Sequence, residues 1–210
     1  MTSPPPWRPS SLREHFGDID IYLFDQLLRG RIDDHATVLD AGCGSGRNLV
    51  FMMRAGMQVF GIDENAEAIE AVRRQAAVHA PTLPSAQLSV QSVDAMSFGD
   101  ETMDVVVSSA VLHFARDDAH FDACVREMWR VLASGGLLFC RLASTIGIED
   151  QVRPLGGRRY LLPDGSTRFL VDAGYLMATT SHLGGTLLDP LKTTVVQGMR
   201  AMTTWVVGKE

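Results

Sequence analysis

Three aspartates, Asp40, Asp63 and Asp94, each stand at or just after the end of a strand-like stretch, and a loop with Gly at every second position follows the first. The stretch Val38-Leu39-Asp40-Ala41-Gly42-Cys43-Gly44-Ser45-Gly46 has the make-up of a strand, a tight turn and a helix start. There a ligand can approach the backbone without meeting a Cβ. Its spacing departs from the G-x-G-x-x-G of dinucleotide sites, because position 47 is Arg and the third Gly comes early. The charge of Asp40 repels a phosphate and suits a ligand bearing an ammonium and a sulfonium. Gly61-Ile62-Asp63-Glu64 then sets an acid where it can take both ribose hydroxyls, or where Asp63 or Asn65 simply caps the next helix. Ser92-Val93-Asp94-Ala95 offers a carboxylate to the exocyclic amine of an adenine; an ordinary turn Asp is the bland alternative.

The elements that position these residues alternate. Thr37–Asp40, Met57–Ile62, Gln87–Gln91, Asp104–Ser108 and Leu137–Leu142 read as strands. Helical patterns run over Arg47–Ala55, Asn65–Val78 and the stretch after Asp117 or Asp118, with Gly135 and Gly136 expected to stop the last. Such alternation predicts a parallel sheet with helices on both faces. An earlier helix is expected from Ser11 to Gly30. Beyond strand five, Tyr160–Leu170 reads as a hairpin turning at Pro163-Asp164-Gly165, a helix spans Val171–Ser181, and Thr186–Val196 and Met202–Val207 read as two final strands.

A chain of 210 residues, 46% hydrophobic and 21% charged, fits one soluble domain, here 11–210 behind a Pro- and Ser-rich tail at 1–10. The net charge of −6 argues against nucleic acid as a partner, and no apolar run is long enough for a membrane span. Cys43, Cys124 and Cys140 have neither disulfide nor metal spacing. No metal is therefore expected, and reduced thiols point to a cytoplasmic protein.

Together Val38–Gly46, Gly61-Ile62-Asp63, Asp94-Ala95, Asp104-Val105-Val106 and Glu127-x-x-Arg130-Val131-Leu132-x-x-Gly135-Gly136 resemble the class I S-adenosylmethionine-dependent methyltransferases. The wording of these motifs is nearest the small-molecule branch with the ubiquinone-type and tellurite-resistance enzymes. The resemblance implies a Rossmann-like α/β fold, a seven-stranded mostly parallel sheet of order 3-2-1-4-5-7-6 with strand seven antiparallel. It also implies S-adenosyl-L-methionine as cofactor and S-adenosyl-L-homocysteine as product. By that resemblance Asp40, Gly42, Gly44 and Gly46 hold the methionine part, Asp63 the ribose and Asp94 the adenine, with Ala41, Cys43, Asn48, Glu64, Ala95 and Ser109 beside them. Arg47 and Asn48 replace the small or apolar residues usual after the loop, so their roles stay open.

A sulfonium methyl is already activated, and alignment of an acceptor behind it does most of the work. His113, after strand four at the carboxyl edge of the sheet, is the candidate base; packing beside the loop is its other reading. Arg141 ends strand five at the same edge and is the candidate contact for a small acidic or polar acceptor. The insertion 144–170 is expected to form a lid over it. Two functions fit: a small-molecule methyltransferase, or a cofactor-binding module without catalysis that serves as an interaction partner. Monomer and homodimer fit equally.

Overall fold

A computed structural model describes residues 14–210. The expected tail at 1–10 and the start of the first helix lie outside that range. The first labelled helix is α1 (Ile21–Leu28), followed by β1 (Thr37–Ala41), α2 (Leu49–Arg54), β2 (Gln58–Asp63), α3 (Ala66–His79), β3 (Leu88–Val90), β4 (Met103–Ser109), α4 (Asp118–Val131) and β5 (Leu132–Ser144). Then come β6 (Arg153–Gly156), β7 (Arg159–Leu161), β8 (Thr167–Phe169), α5 (Ala173–His182), β9 (Gly185–Leu187), β10 (Lys192–Val196) and β11 (Arg200–Lys209).

The main sheet runs β10-β11-β5-β4-β1-β2-β3, with β9 also paired to β11. Strands β1 to β5 are mutually parallel and β11 is antiparallel to β5. This is the expected order, with β11 in the place of strand seven. Expected strand six is split: β9 and β10 pair with opposite ends of β11, and Asp189-Pro190 lies between them. Proline has no N–H to give a ladder, so the strand breaks there.

Period-two alternation sorts the strand side chains into two layers. Leu39, Val106, Leu138 and Cys140 pack with Phe121, Val125 and Met128 of α4 and with Leu176 of α5. Val38, Val59, Val107 and Phe139 pack on the other face with Leu23 of α1, Leu49 of α2 and Ile69 and Val72 of α3. Helix α4 starts where Asp117 accepts the His120 N–H at 2.8 Å, which satisfies one of its orphan donors. Arg130 ties its far end to Glu127 and to the Met96 and Phe98 carbonyls.

Two expectations need correction. Gly135 and Gly136 do not end α4, which stops at Val131 and passes straight into β5. They lie in β5 where its register with β4 shifts, and a Cβ on Gly136 would sit 2.7–2.8 Å from the Ala133 and Asp104 carbonyls. The insertion is more than a hairpin: β6, β7 and β8 form a separate antiparallel sheet. It rests on a small cluster of Ala143, Leu162 and Leu170.

Candidate active site

The carboxyl ends of β1, β2 and β4 open onto one cavity of about 560 Å³, the position where open α/β sheets bind ligands. Gly42, Cys43, Gly44, Arg47, Asn48, Asp63, Glu64 and Ser109 lie on its wall. So do Ser92, Val93, the run Ala110–Leu112, Phe114, Arg116, His120 and Cys124.

The Gly loop is shaped by two different pressures. Gly42 and Gly46 have φ of +87° and +84°, and a Cβ there would come within 2.4 Å of Val111 and 2.3 Å of Val72. Those glycines let the loop pack against the protein. Gly44, at φ +52°, has nothing within 4 Å of a Cβ; its open side faces the cavity. The Gly44 N–H donates to Asp63 Oδ2 at 2.9 Å, and the Asn65 N–H donates to Asp63 Oδ1 at 2.9 Å. Both oxygens keep a second lone pair, so the carboxylate is fixed yet still able to accept. Asn65, not Asp63, caps α3, through the Glu67 N–H.

Asp40 is 1% exposed. Its Oδ2 lies 3.5 Å from Asn48 Nδ2, while Oδ1 has no partner among the described residues. Burial pushes its carboxyl up to about 7, against the hydrogen bond from Asn48 and the charge of Arg47. A buried acid with a free oxygen calls for a cation.

At the other end of the cavity, Glu64 and Asp94 both meet the Ser92 hydroxyl, which lies 2.5 Å from Glu64. Asp94 is held below its usual range chiefly by Ser92, with His120 and Arg116 assisting. His120 Nδ1 accepts the Arg116 N–H at 3.2 Å, so Nε2 is the nitrogen that faces Asp94, at 3.5 Å. Asp40, Ala41, Gly46, Asp94 and Ala95 border the lining residues, with Asp40 buried under the loop and Asp94 partly exposed beside Ser92 and His120.

His113 and Arg141 do not line the cavity. His113 sits in a short 3-10 turn, Leu112–Phe114, is 8% exposed and lies tilted against the Phe114 ring. Burial and the charge of Arg168 press its imidazole down to about 4, and Nδ1 has no partner among the described residues. A neutral, buried ring behind the wall suits the packing reading better than the base. Arg141 pairs with Asp20 at 3.3 Å and lies over the Tyr22 ring.

Sequence reasoning missed Asp20. Its carboxylate, 2% exposed, gathers Arg141, Arg47 at 3.4 Å and the Ser109 hydroxyl at 3.3 Å, and caps α1 through the Tyr22 N–H. The one sequence signal was an Asp directly before a helical pattern, which reads as a cap and nothing more. Also missed was Ala110, a non-glycine at φ +67° on the wall, held by its N–H to the Arg141 carbonyl at 2.8 Å. Strained backbone of this kind collects at functional sites.

With this geometry established, comparison with known proteins is decisive. Residues 39–140 match the family described as a methyltransferase domain. A probable S-adenosylmethionine-dependent methyltransferase of Mycobacterium tuberculosis is 30% identical over 168 residues, 76% of this chain and 57% of that protein. The chain belongs to the class I S-adenosylmethionine-dependent methyltransferases. A ubiquinone biosynthesis O-methyltransferase of Chelativorans is 28% identical over 73% of this chain and 63% of its own length. The chain thus spans less than two thirds of either relative. Magnesium protoporphyrin IX methyltransferase of Synechocystis, solved with bound S-adenosylhomocysteine, superposes with a TM-score of 0.70 at 15% identity, covering 99% of this chain and 90% of that one; this likeness speaks for the fold.

S-adenosylmethionine is the cofactor of this methyltransferase fold, and the residues present fit it. The orphan Asp40 Oδ1 answers an ammonium, Gly44 leaves its approach open, Asp63 has free lone pairs for ribose, and the Ser92–Asp94 corner is rich in acceptors for an adenine amine.

Proposed function

We propose that this chain transfers the methyl group of S-adenosylmethionine to a small-molecule acceptor by in-line displacement. The observation that supports this most is the buried acid Asp40, with an oxygen unpartnered among the described residues behind a Gly loop open to the cavity, on the strand next to the one that Asp63 ends. The names of relatives that act on small molecules, such as the ubiquinone-pathway O-methyltransferase, favour the same acceptor class. When bound, the cofactor supplies a sulfonium-activated methyl group.

The protein's part is positioning. Asp40, Asp63 and Asp94 hold the donor along the carboxyl ends of β1, β2 and β3. Ser109, Ala110, Val111 and Phe114 form the wall toward the acceptor. The β6–β8 sheet is the lid: Arg159 donates to the Ala115 carbonyl at 3.0 Å and Arg168 lies over Phe114, so it is docked on the turn that borders the cavity. Arg141, paired to Asp20 at 3.3 Å and lying over the Tyr22 ring, is off the cavity wall, so the cationic side chains on the wall, Arg47 and Arg116, are the ones that favour an acidic or polar acceptor. With His113 buried behind the wall, turnover relies chiefly on alignment and water exclusion.

None of the described helices is long and apolar enough to cross a membrane. Three buried free thiols are consistent with a reducing compartment and support the cytoplasm as the setting. The test is a panel of metabolites incubated with protein and methyl-labelled S-adenosylmethionine. Label in one acidic or polar small molecule supports the reading. Transfer only to protein or nucleic acid refutes the small-molecule acceptor, and transfer to nothing while S-adenosylhomocysteine still binds refutes the enzyme and favours the interaction module.

A further inference from the structure

We infer that Phe114, Arg168 and Arg159 form the acceptor subsite, and that together they select a small aromatic molecule bearing a carboxylate. The inference rests on the small-molecule reading above and deepens it by naming the acceptor's chemical class and the residues that choose it.

Phe114 is 59% exposed, and every other Phe, Tyr and Trp among the described residues is buried or half-buried. Its neighbours Leu112, His113 and Ala115 are buried, so the turn is packed and this ring alone is left out of it. A ring of that size gains more from burial than most side chains, and this one stands on the cavity wall. Arg168 lies over it, with the guanidinium carbon 5.0 Å from the ring centroid. The rest of the ring is open to a planar partner, which aromatic groups meet offset or edge-on. A molecule stacked there shares the cavity with the donor.

The arginines around the mouth fall into two groups. Arg47 and Arg141 face Asp20 at 3.4 and 3.3 Å, and Arg116 faces Asp94 at 3.9 Å. Arg158 is held between Asp118 at 3.5 Å and Asp172 at 2.7 Å. Arg159 and Arg168 have no carboxylate within 4.0 Å among the described residues. Each gives one N–H to a backbone carbonyl, Arg159 Nη1 to Ala115 at 3.0 Å and Arg168 Nη1 to Thr167 at 2.8 Å. That leaves Nε and Nη2 of both forks, the pair of donors that can meet a carboxylate in parallel. Half-buried positive charges without a counter-ion call for an anion. The lid brings both of them to the turn that carries the one exposed ring. An acceptor satisfies the ring and the charges together only if its acid is attached to a planar group.

The test is calorimetric titration of S-adenosylhomocysteine-loaded protein with four probes that differ only in ring and charge: benzoate, benzamide, cyclohexanecarboxylate and cyclohexanecarboxamide. Wild type is expected to bind benzoate about 10- to 100-fold tighter than benzamide and about 2- to 10-fold tighter than cyclohexanecarboxylate. Arg168→Met should lower the benzoate-to-benzamide ratio about tenfold, and Arg168→Lys should restore part of it. Phe114→Leu should bring benzoate and cyclohexanecarboxylate to within about twofold of each other while sparing the ratio to benzamide. A merely structural role for either residue would weaken all four probes together, and that result overturns the inference. So does a wild type that binds none of the probes, or that prefers a neutral or saturated one. These outcomes leave the small-molecule reading standing. Label in no small molecule of the metabolite panel overturns that reading and the inference with it.

Discussion

Titrating S-adenosylhomocysteine binding from about pH 5.5 to about pH 8 should expose the state of Asp40. Its carboxyl group is pushed up to about 7, first by burial, against the hydrogen bond from Asn48 and the charge of Arg47. Below that value the ligand-free site holds a proton on Asp40. A ligand ammonium is best met by the ionised acid, so binding must expel the proton, and each unit of pH below the pKa costs about tenfold, or roughly 1.4 kcal/mol. Affinity should therefore be about tenfold weaker near pH 6 than on the plateau near pH 8. The same shift acts on stability with a fixed sign. Between the ordinary 3.8 and about 7 the folded state binds more protons than the unfolded chain, so the ligand-free domain loses stability as pH rises through that window. Asp40→Asn removes the titrating group. The variant should flatten both curves, gain stability in the ligand-free state near pH 8, and bind more weakly there because the amide carries no charge. Calorimetry and thermal melts at matched pH measure both. A flat affinity profile in wild type, or an unchanged slope in Asp40→Asn, would refute the reasoning.

Three other substitutions test the surroundings of the site. Gly46→Ala should cost about 2–5 kcal/mol of stability, combining a left-handed φ with a Cβ 2.3 Å from Val72; urea unfolding reads it. Gly44→Ala, with open space around the Cβ, should cost only about 1–2 kcal/mol yet reduce cofactor affinity more than tenfold, and the reverse ranking in calorimetry would show the loop's open side misassigned. Thr180→Val should cost about 1–3 kcal/mol in chemical denaturation, because the Trp205 indole N–H that reaches the Thr180 hydroxyl at 2.9 Å would be buried without a partner.

The sheet was legible because its strands are buried on both faces and read as continuous apolar runs, as in Val105-Val106-Val107. Asp40 and Asp63 were legible for a related reason: each ends such a run in a fixed place beside the Gly loop. What failed was anything assembled from distant segments. Asp20 draws its partners from 27, 89 and 121 residues away, so no local spacing announces it. His120 has no motif around it, and only the folding of α4 against the loop after β3 brings it to Asp94. His113 was visible as a histidine at the right edge, but the 3-10 turn sends Leu112 and Phe114 to the cavity wall and leaves the imidazole behind it. The paired glycines of β5 mimic a helix stop, and only the register with β4 reveals them as a bulge.

The most direct test of the central claim is calorimetric titration of S-adenosylhomocysteine and of NADH into wild type and Asp63→Ala. The account predicts that wild type binds S-adenosylhomocysteine and not NADH, and that Asp63→Ala weakens the nucleoside at least about tenfold through loss of the ribose contact. Tight binding of NADH, or S-adenosylhomocysteine binding unchanged in Asp63→Ala, would contradict it.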